Sequence, residues 1–259
     1  MENSLLVPSL LKQAIPYPVL GDGFRPQDFH SLDLSIHNPD FEQTDVTTYE
    51  GLDVYIQSVL QKNNAKVGYG GYDEHRIFYQ QSPLFNDGSK PPRCIHLGLD
   101  LWAPAATPVY APLDARVHSF RYNDLMLDYG ATIILEHQLH QLTFYTLYGH
   151  LTLASLENLY PNKPIAKGEA FTALGARHEN GGWVPHLHFQ VMLDMEGREG
   201  DFPGVATEAD APHFLAICPD PMVFLPFLSW ANLQIPGITD TFDEILISQN
   251  NFMKTIYLF

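Results

Sequence analysis

Three short segments of the sequence place histidine or aspartate side chains between apolar neighbours, and their spacing indicates metal chemistry. The segments are 94–102, 144–151 and 185–191. In an extended strand, successive side chains point to opposite faces. The apolar residues of each segment would then enter a core, while the polar residues share the other face. Imidazole nitrogens and carboxylate oxygens on such a face are ordinary zinc ligands.

The first segment predicts a gap of cation size between two kinds of ligand. Strand alternation puts His96, Gly98 and Asp100 on one face and apolar residues on the other. Because Gly98 has no side chain, a cation has room between the imidazole of His96 and the carboxylate of Asp100. We therefore interpret this segment as one part of a metal site.

The other two segments add imidazoles to the same kind of face. His186 and His188 share a face about 7 Å apart along their strand, but the spacing does not decide which of them binds a metal. Tyr148 and His150 share a face in the middle segment. One histidine alone is most often structural, whereas three segments with one pattern favour a single site. Three protein ligands with an open position are typical of zinc hydrolases, where histidine can serve as the base.

The order of these segments resembles that of the lysostaphin-type zinc metallopeptidases, a family of peptidoglycan endopeptidases. The resemblance rests on His-x-Gly-x-Asp at 96–100, Tyr-x-His-Leu at 148–151, and a glycine-rich loop that runs into His-Leu-His-Phe at 181–189. It covers roughly 90–195, somewhat under half of the chain.

The resemblance implies both a fold and a set of roles. The implied fold is an antiparallel β core with a narrow groove over the sheet. The implied Zn²⁺ ligands are His96, Asp100 and His188, and the implied catalytic pair is His150 and His186. All five residues of the family pattern are present, which disfavours a degenerate relative that only binds.

The elements around these segments indicate a mainly β protein, α+β overall. An amphipathic helix is predicted over 47–63, with capping-box spacing between Thr47 and Glu50. The glycine cluster at 68–72 is interpreted as a turn beside a cleft. Short β-rich runs between turn residues then predict antiparallel strands. These runs are 76–79, 95–101, 108–110, 115–122, 131–137, 142–151, 169–174 and 186–193.

These patterns divide the chain into three parts. We predict an N-terminal arm and amphipathic helix packed on the core over 1–75, a sandwich-like metallopeptidase core with a groove over 76–200, and a C-terminal extension over 201–259.

Composition narrows the class of protein. The 259 residues carry 14 basic and 30 acidic side chains, a formal charge of −16, which argues against binding to nucleic acids or anionic membranes. Two cysteines, Cys94 and Cys218, are too few for a disulfide framework, and either two thiols or one bridge fits. Without a recognisable export signal or a long apolar run, the expected location is the cytoplasm.

We therefore hypothesise a zinc metalloendopeptidase that acts on Gly- or D-amino-acid-containing, cell-wall-type peptides through metal-activated water and histidine acid–base help. Tyr148, Trp183 and Arg177 are candidates for substrate contact. Two alternatives stay open: a non-catalytic module that binds peptides or glycopeptides, and a zinc hydrolase of a small cytosolic amide. The oligomeric state is also left open.

Overall fold

The structure, a computed structural model, describes residues 14–86 and 88–225. Within these residues the chain forms thirteen strands and two α-helices. The strands are β1 Phe29–Ser31, β2 Val67–Gly70, β3 Glu74–His75, β4 Ile95–His96, β5 Leu99–Trp102, β6 Pro108–Tyr110, β7 Ala115–Asn123, β8 Gly130–Leu139, β9 Leu142–Leu151, β10 Pro164–Ile165, β11 Ala170–Ala173, β12 His186–Met192 and β13 Val205–Ala206. The helices are α1 Tyr49–Lys62 and α2 Ala211–Ile217.

One large sheet dominates the molecule. Its eight strands lie in the order β1-β2-β5-β12-β9-β8-β7-β10, and all neighbours are antiparallel except β1 and β2. A three-stranded sheet, β13-β4-β3, and a two-stranded sheet, β11-β6, accompany it. The mainly β, antiparallel fold predicted from the sequence is confirmed. Six of the eight predicted strands have ends within two residues of the observed ones.

The largest part of the core lies against one face of this sheet. Apolar side chains that alternate along the long strands fill it, as period-two patterning predicts. Its largest buried cluster includes Leu99, Leu101, Leu135, Leu187 and Phe189. The histidine-bearing face of β12 points away from this cluster, so the sheet itself separates the core from the candidate site.

The helix predicted near the N-terminus is present. It spans Tyr49–Lys62, and its N-cap is Thr48, whose side chain accepts a hydrogen bond from the Gly51 amide at 3.1 Å. The predicted cap at Thr47 is therefore one residue early. The buried stripe of α1 joins a cluster that also contains Trp102. Its members from the helix are Leu52, Tyr55, Ile56 and Leu60.

Two predicted strands need correction. The run 95–101 is not one strand but two, because β4 pairs with β3 and β13 while β5 pairs with β2 and β12. Gly98 lies at the break, where an added Cβ would be 2.6 Å from the ring of His188. The run 76–79 forms no strand; a short 3₁₀ turn, Phe78–Gln81, takes its place.

The glycine cluster is also different from its prediction. Val67–Gly70 is strand β2, placed between β1 and β5, rather than a turn. An added Cβ at Gly70 would be 2.5 Å from the carbonyl oxygen of Leu32, so close backbone approach explains this glycine. Gly71 follows with a φ of 101°, a conformation that favours glycine.

Both cysteines, Cys94 and Cys218, are buried free thiols, so they do not form the one bridge that the sequence allowed. Among the described residues, no helix combines the length and the apolar character that a membrane crossing requires.

Candidate active site

Three ligand atoms from three strands converge on the polar face of the large sheet. The Nε2 atom of His96 lies 2.9 Å from Nδ1 of His188, and Oδ1 of Asp100 lies 3.4 Å and 3.2 Å from these two nitrogens. The pairing of His188 with Asp100 across β12 and β5 brings two of them together. Zinc bonds of about 2.0–2.1 Å in tetrahedral geometry put ligand atoms about 3.3 Å apart, so the observed spacing fits zinc.

The hydrogen bonds of both histidines fix which ring nitrogen carries the proton. His96 donates from Nδ1 to the carbonyl of Gly71 at 2.7 Å. His188 donates from Nε2 to Oε1 of Gln190 at 3.0 Å, and the amide of Gln190 in turn donates to the Pro203 carbonyl. The remaining nitrogens therefore face each other with lone pairs. A cation between them would relieve this repulsion, and such outer hydrogen bonds are typical of zinc-binding histidines.

Arg76 holds the other oxygen of the aspartate. Its Nη1 donates to Oδ2 of Asp100 at 2.6 Å and to the Tyr79 hydroxyl at 3.0 Å, while Nε donates to Glu74 at 2.6 Å. Asp100 thus presents only Oδ1 to the histidines. Arg76 is 1% exposed. No spacing rule in the sequence links it to Asp100, so this contact has no signal in the sequence.

Burial and charge keep His96 and Asp100 in a metal-binding protonation state. Burial, with the nearby guanidinium of Arg76, lowers the pKa of His96 to about 3. Burial works against ionisation of Asp100, but contacts with His96 and Arg76 outweigh it and hold the pKa of Asp100 well below its usual range. Neutral imidazole and ionised carboxylate are the forms that bind a divalent metal.

Two further histidines border the cluster. The ring centroids of His150 and His186 are 4.2 Å apart, and Nε2 of His186 lies 3.8 Å from Oδ1 of Asp100. Each donates from Nδ1 to a backbone carbonyl, of Asn180 at 2.8 Å and of Val184 at 2.7 Å respectively. Their Nε2 atoms are therefore unprotonated. Burial lowers the pKa of both imidazoles.

A β-bulge turns His150 towards the site. Leu151 pairs with Ala131 and Tyr148 pairs with Ile133, so β9 has one residue more than β8 between these pairs. His150 takes a φ of 64°, in the left-handed region that is uncommon for residues other than glycine. The extra residue breaks the two-residue alternation at this point.

The bulge corrects the prediction that Tyr148 and His150 share a face. Tyr148 is fully buried in the core, where its ring packs against Phe171 and Phe189 and its hydroxyl bonds to Thr146 at 3.0 Å. It does not line the cavity beside the histidines. A simple alternation pattern contains no signal for such a bulge, so the sequence alone could not exclude Tyr148.

The other two candidates for substrate contact have different positions. Trp183 lines the cavity, with its ring centroid 6.0 Å from that of His150. Arg177 does not line it: the guanidinium lies over the ring of Tyr49 at 3.8 Å and bonds to Glu50 at 3.2 Å. Arg177 thus contacts the start of α1 rather than the site.

The fold and the site define a β-rich domain with a two-histidine, one-aspartate cluster and two adjacent histidines, the donor set of a metal-dependent hydrolase. Residues 94–199 match the model of peptidase family M23. This match confirms the predicted resemblance of the segment to the lysostaphin-type metallopeptidases. A search of curated proteins finds no match.

Solved structures show partial similarity. A peptidase M23 from Pseudomonas aeruginosa is 20% identical over 50% of this chain and 43% of its own, with a TM-score of 0.32. A zinc-containing peptidase from Vibrio cholerae is 24% identical over 48% and 33%, with a TM-score of 0.32. The catalytic domain of lysostaphin from Staphylococcus simulans is 20% identical over 59% and 93%, with a TM-score of 0.35. The chain thus spans less than half the length of the first two.

Proposed function

We propose that the protein is a zinc-dependent peptidase that hydrolyses peptide bonds with an activated water molecule. One observation carries the proposal: the ligand atoms of His96, Asp100 and His188 lie within 3.4 Å of one another, and each is in the form that a metal requires. Three protein ligands leave one position for water or for a substrate oxygen, as in catalytic zinc sites.

The ion would polarise the scissile carbonyl and acidify water at neutral pH. The chain would supply the proton transfers. His150 and His186 both present an unprotonated Nε2 beside the ligand cluster, so one accepts the proton of the attacking water. The imidazolium formed in this way then donates the same proton to the leaving amine. To stabilise the developing oxyanion, the second histidine would first take up a proton from solvent at Nε2 and then donate a hydrogen bond from it. Their backbone hydrogen bonds hold both rings in the orientation that this exchange needs.

We propose Gly- or D-amino-acid-containing peptides of cell-wall type as the substrates. The match of residues 94–199 to the model of peptidase family M23 supports this choice, as does the full set of histidines and aspartate. Trp183 is the one predicted substrate contact that lines the cavity, so we propose that it packs against the bound peptide. The catalytic histidines argue for turnover rather than for a module that only binds.

We also propose a division of the chain into three parts and a cellular location. The first is the division into an arm over 1–75, a core over 76–200 and an extension over 201–259. Strands β1 and β2 extend the large sheet, which agrees with an arm that packs on the core. The second is a cytoplasmic location, for which fractionation of the source cells is the direct test.

Metal analysis combined with a chelator-sensitive assay tests the proposed function. We expect about one zinc per chain, and hydrolysis of oligoglycine or D-alanine-containing peptides that stops with a chelator and returns with zinc. Purified protein that binds less than about a tenth of an equivalent of zinc, and cleaves none of these peptides after zinc is added, would refute the proposal.

A further inference from the structure

The reacting groups of the candidate site lie deep in a cavity that is open to solvent on one side. The five histidine and aspartate residues that form it are each at most 5% exposed. They line a cavity of about 200 Å³. A groove that receives a long polymer has to leave its reacting groups accessible along its whole length. This site instead lies at the bottom of a small cavity.

Much of the enclosure comes from parts of the chain outside the family segment. Twenty-three residues line the cavity, and twelve of them lie outside 94–199. The segment 76–93, which we call the cap, contributes six of these twelve. Its aromatic residues in the lining are Phe78, Tyr79 and Phe85. Phe202 and Val205 close another side.

The cap is held in place by specific contacts. The ring centroids of Tyr79 and Phe85 are 4.8 Å apart, and that of Phe78 is 6.0 Å from Trp183. The guanidinium of Arg93 lies 4.8 Å from the Phe85 ring, and it also donates to the carbonyl of Leu84. The cap therefore packs as an ordered wall of the cavity.

The size of the cavity restricts what can enter. Pockets for drug-sized ligands measure about 300–1,000 Å³, and one water molecule occupies about 30 Å³ in the liquid. A cavity of about 200 Å³ accommodates a few small residues. A cross-linked strand continues on both sides of the scissile bond, so both of its ends would have to leave this cavity past its walls, of which the cap is one.

Polar groups in the cavity fit a small charged substrate. Nη2 of Arg76 and Nε1 of Trp102 are buried without a hydrogen-bond partner among the described residues, and both side chains line the cavity. Unpaired buried donors are costly, so a ligand with acceptor oxygens would be favoured there. Two cations and two carboxylates line its partly exposed side, which suits a molecule with both charges. They are Arg93, Arg198, Asp128 and Asp201.

We propose that the cap makes this site selective for short, unblocked peptides over polymeric or cross-linked ones. A short free peptide fits the volume, and its terminal ammonium and carboxylate match the charges at the partly exposed side. This inference rests on the proposed peptidase function and defines its substrate class.

A length series tests the proposal on the zinc-loaded full chain. The probes are di- to pentaglycine, a matched series containing D-alanine, and pentaglycine joined at both ends to polyethylene glycol. We expect kcat/KM for the polymer-linked peptide to be at least about tenfold below that of the best free peptide. Equal cleavage of free and polymer-linked pentaglycine would overturn the proposal while leaving the peptidase function intact. No cleavage of any probe would overturn both.

Variants of the cap separate selectivity from catalysis. We expect Phe85→Ala to raise the ratio of polymer-linked to free-peptide kcat/KM by about fivefold or more, because it opens the wall. Leu84→Ala, at another partly exposed lining position, should raise the ratio in the same direction if Phe85→Ala does not fold. Tyr160→Ala, an exposed aromatic that does not line the cavity, is the matched control. A folded cap variant with the parent ratio would refute the cap's role.

Discussion

Replacing Arg76 with methionine tests how the buried charges of the site are balanced. Arg76 and Asp100 are 1% and 2% exposed, so water screens their contact very little. Removal of one partner of such a pair leaves an uncompensated buried charge and costs about 3–5 kcal/mol. The variant would also leave Glu74 without its 2.6 Å partner. We therefore expect metal-free Arg76→Met to lose about 3–5 kcal/mol of unfolding free energy.

Zinc should reduce this loss, because the ion would become the countercharge of Asp100. We expect the cost of Arg76→Met to be smaller by at least about 1 kcal/mol in the zinc-loaded protein, roughly the value of one charged hydrogen bond. The assay is urea unfolding at neutral pH, with metal-free and zinc-saturated samples measured in parallel. Linkage then converts the difference into a change of zinc affinity.

A surface ion pair provides the control. Arg116 and Glu136 lie 3.4 Å apart across β7 and β8, with side chains 53% and 26% exposed. Such pairs contribute about 0–1 kcal/mol, so Arg116→Met should change stability little. If Arg76→Met costs no more than Arg116→Met, the argument that Arg76 neutralises Asp100 is wrong. If the cost is the same with and without zinc, Asp100 is not a metal ligand.

Three more outcomes can be checked. His188→Ala should lose zinc and activity together, whereas His150→Ala should keep zinc and lose turnover. Metal analysis and the peptide assay on both variants test this difference. Loss of zinc in both variants would contradict the assigned roles. Burial lowers the pKa of His137 to about 4, against about 6.5 in the unfolded chain. Between these pH values the unfolded chain binds more protons than the folded protein. The free energy of unfolding therefore does not depend on His137 above pH 6.5 and falls by about 3 kcal/mol as the pH is lowered to 4. In urea unfolding, the stability of His137→Gln should depend less on pH between 6.5 and 4 than that of the parent protein. An unchanged pH profile would exclude His137 as the source of the loss of stability. Gly70→Ala should destabilise by about 1–3 kcal/mol because its Cβ would meet backbone, while Gly23→Ala, with open space around it, should change little.

Much of the site was accessible from the sequence because strand alternation is a local property. The pattern from His186 to His188 requires only that β12 be a strand, and β12 is one. The same reasoning assigned His96 and Asp100 to one site although the chain between them bends into two sheets. Gly98 lies between them at the break, and its lack of a side chain leaves room for the ring of the third ligand, His188.

Other features depend on packing between distant segments, for which spacing contains no information. The bulge that points His150 to the site and Tyr148 into the core depends on how β9 aligns with β8. The predicted strand at 76–79 became a turn because this stretch packs over the site, where Arg76 reaches Asp100.

The sequence by itself determined the chemical inventory: two histidines and an aspartate suited to a metal, two more histidines for proton transfer, and a β scaffold to carry them. The tertiary structure alone decided which nitrogen of each ring is free, how the aspartate is neutralised and how closely the cap covers the cavity. The physical reason is the range of the interactions. Side-chain alternation acts between neighbours in the chain, whereas tautomers, buried charges and cavity volume depend on groups that only folding brings into contact.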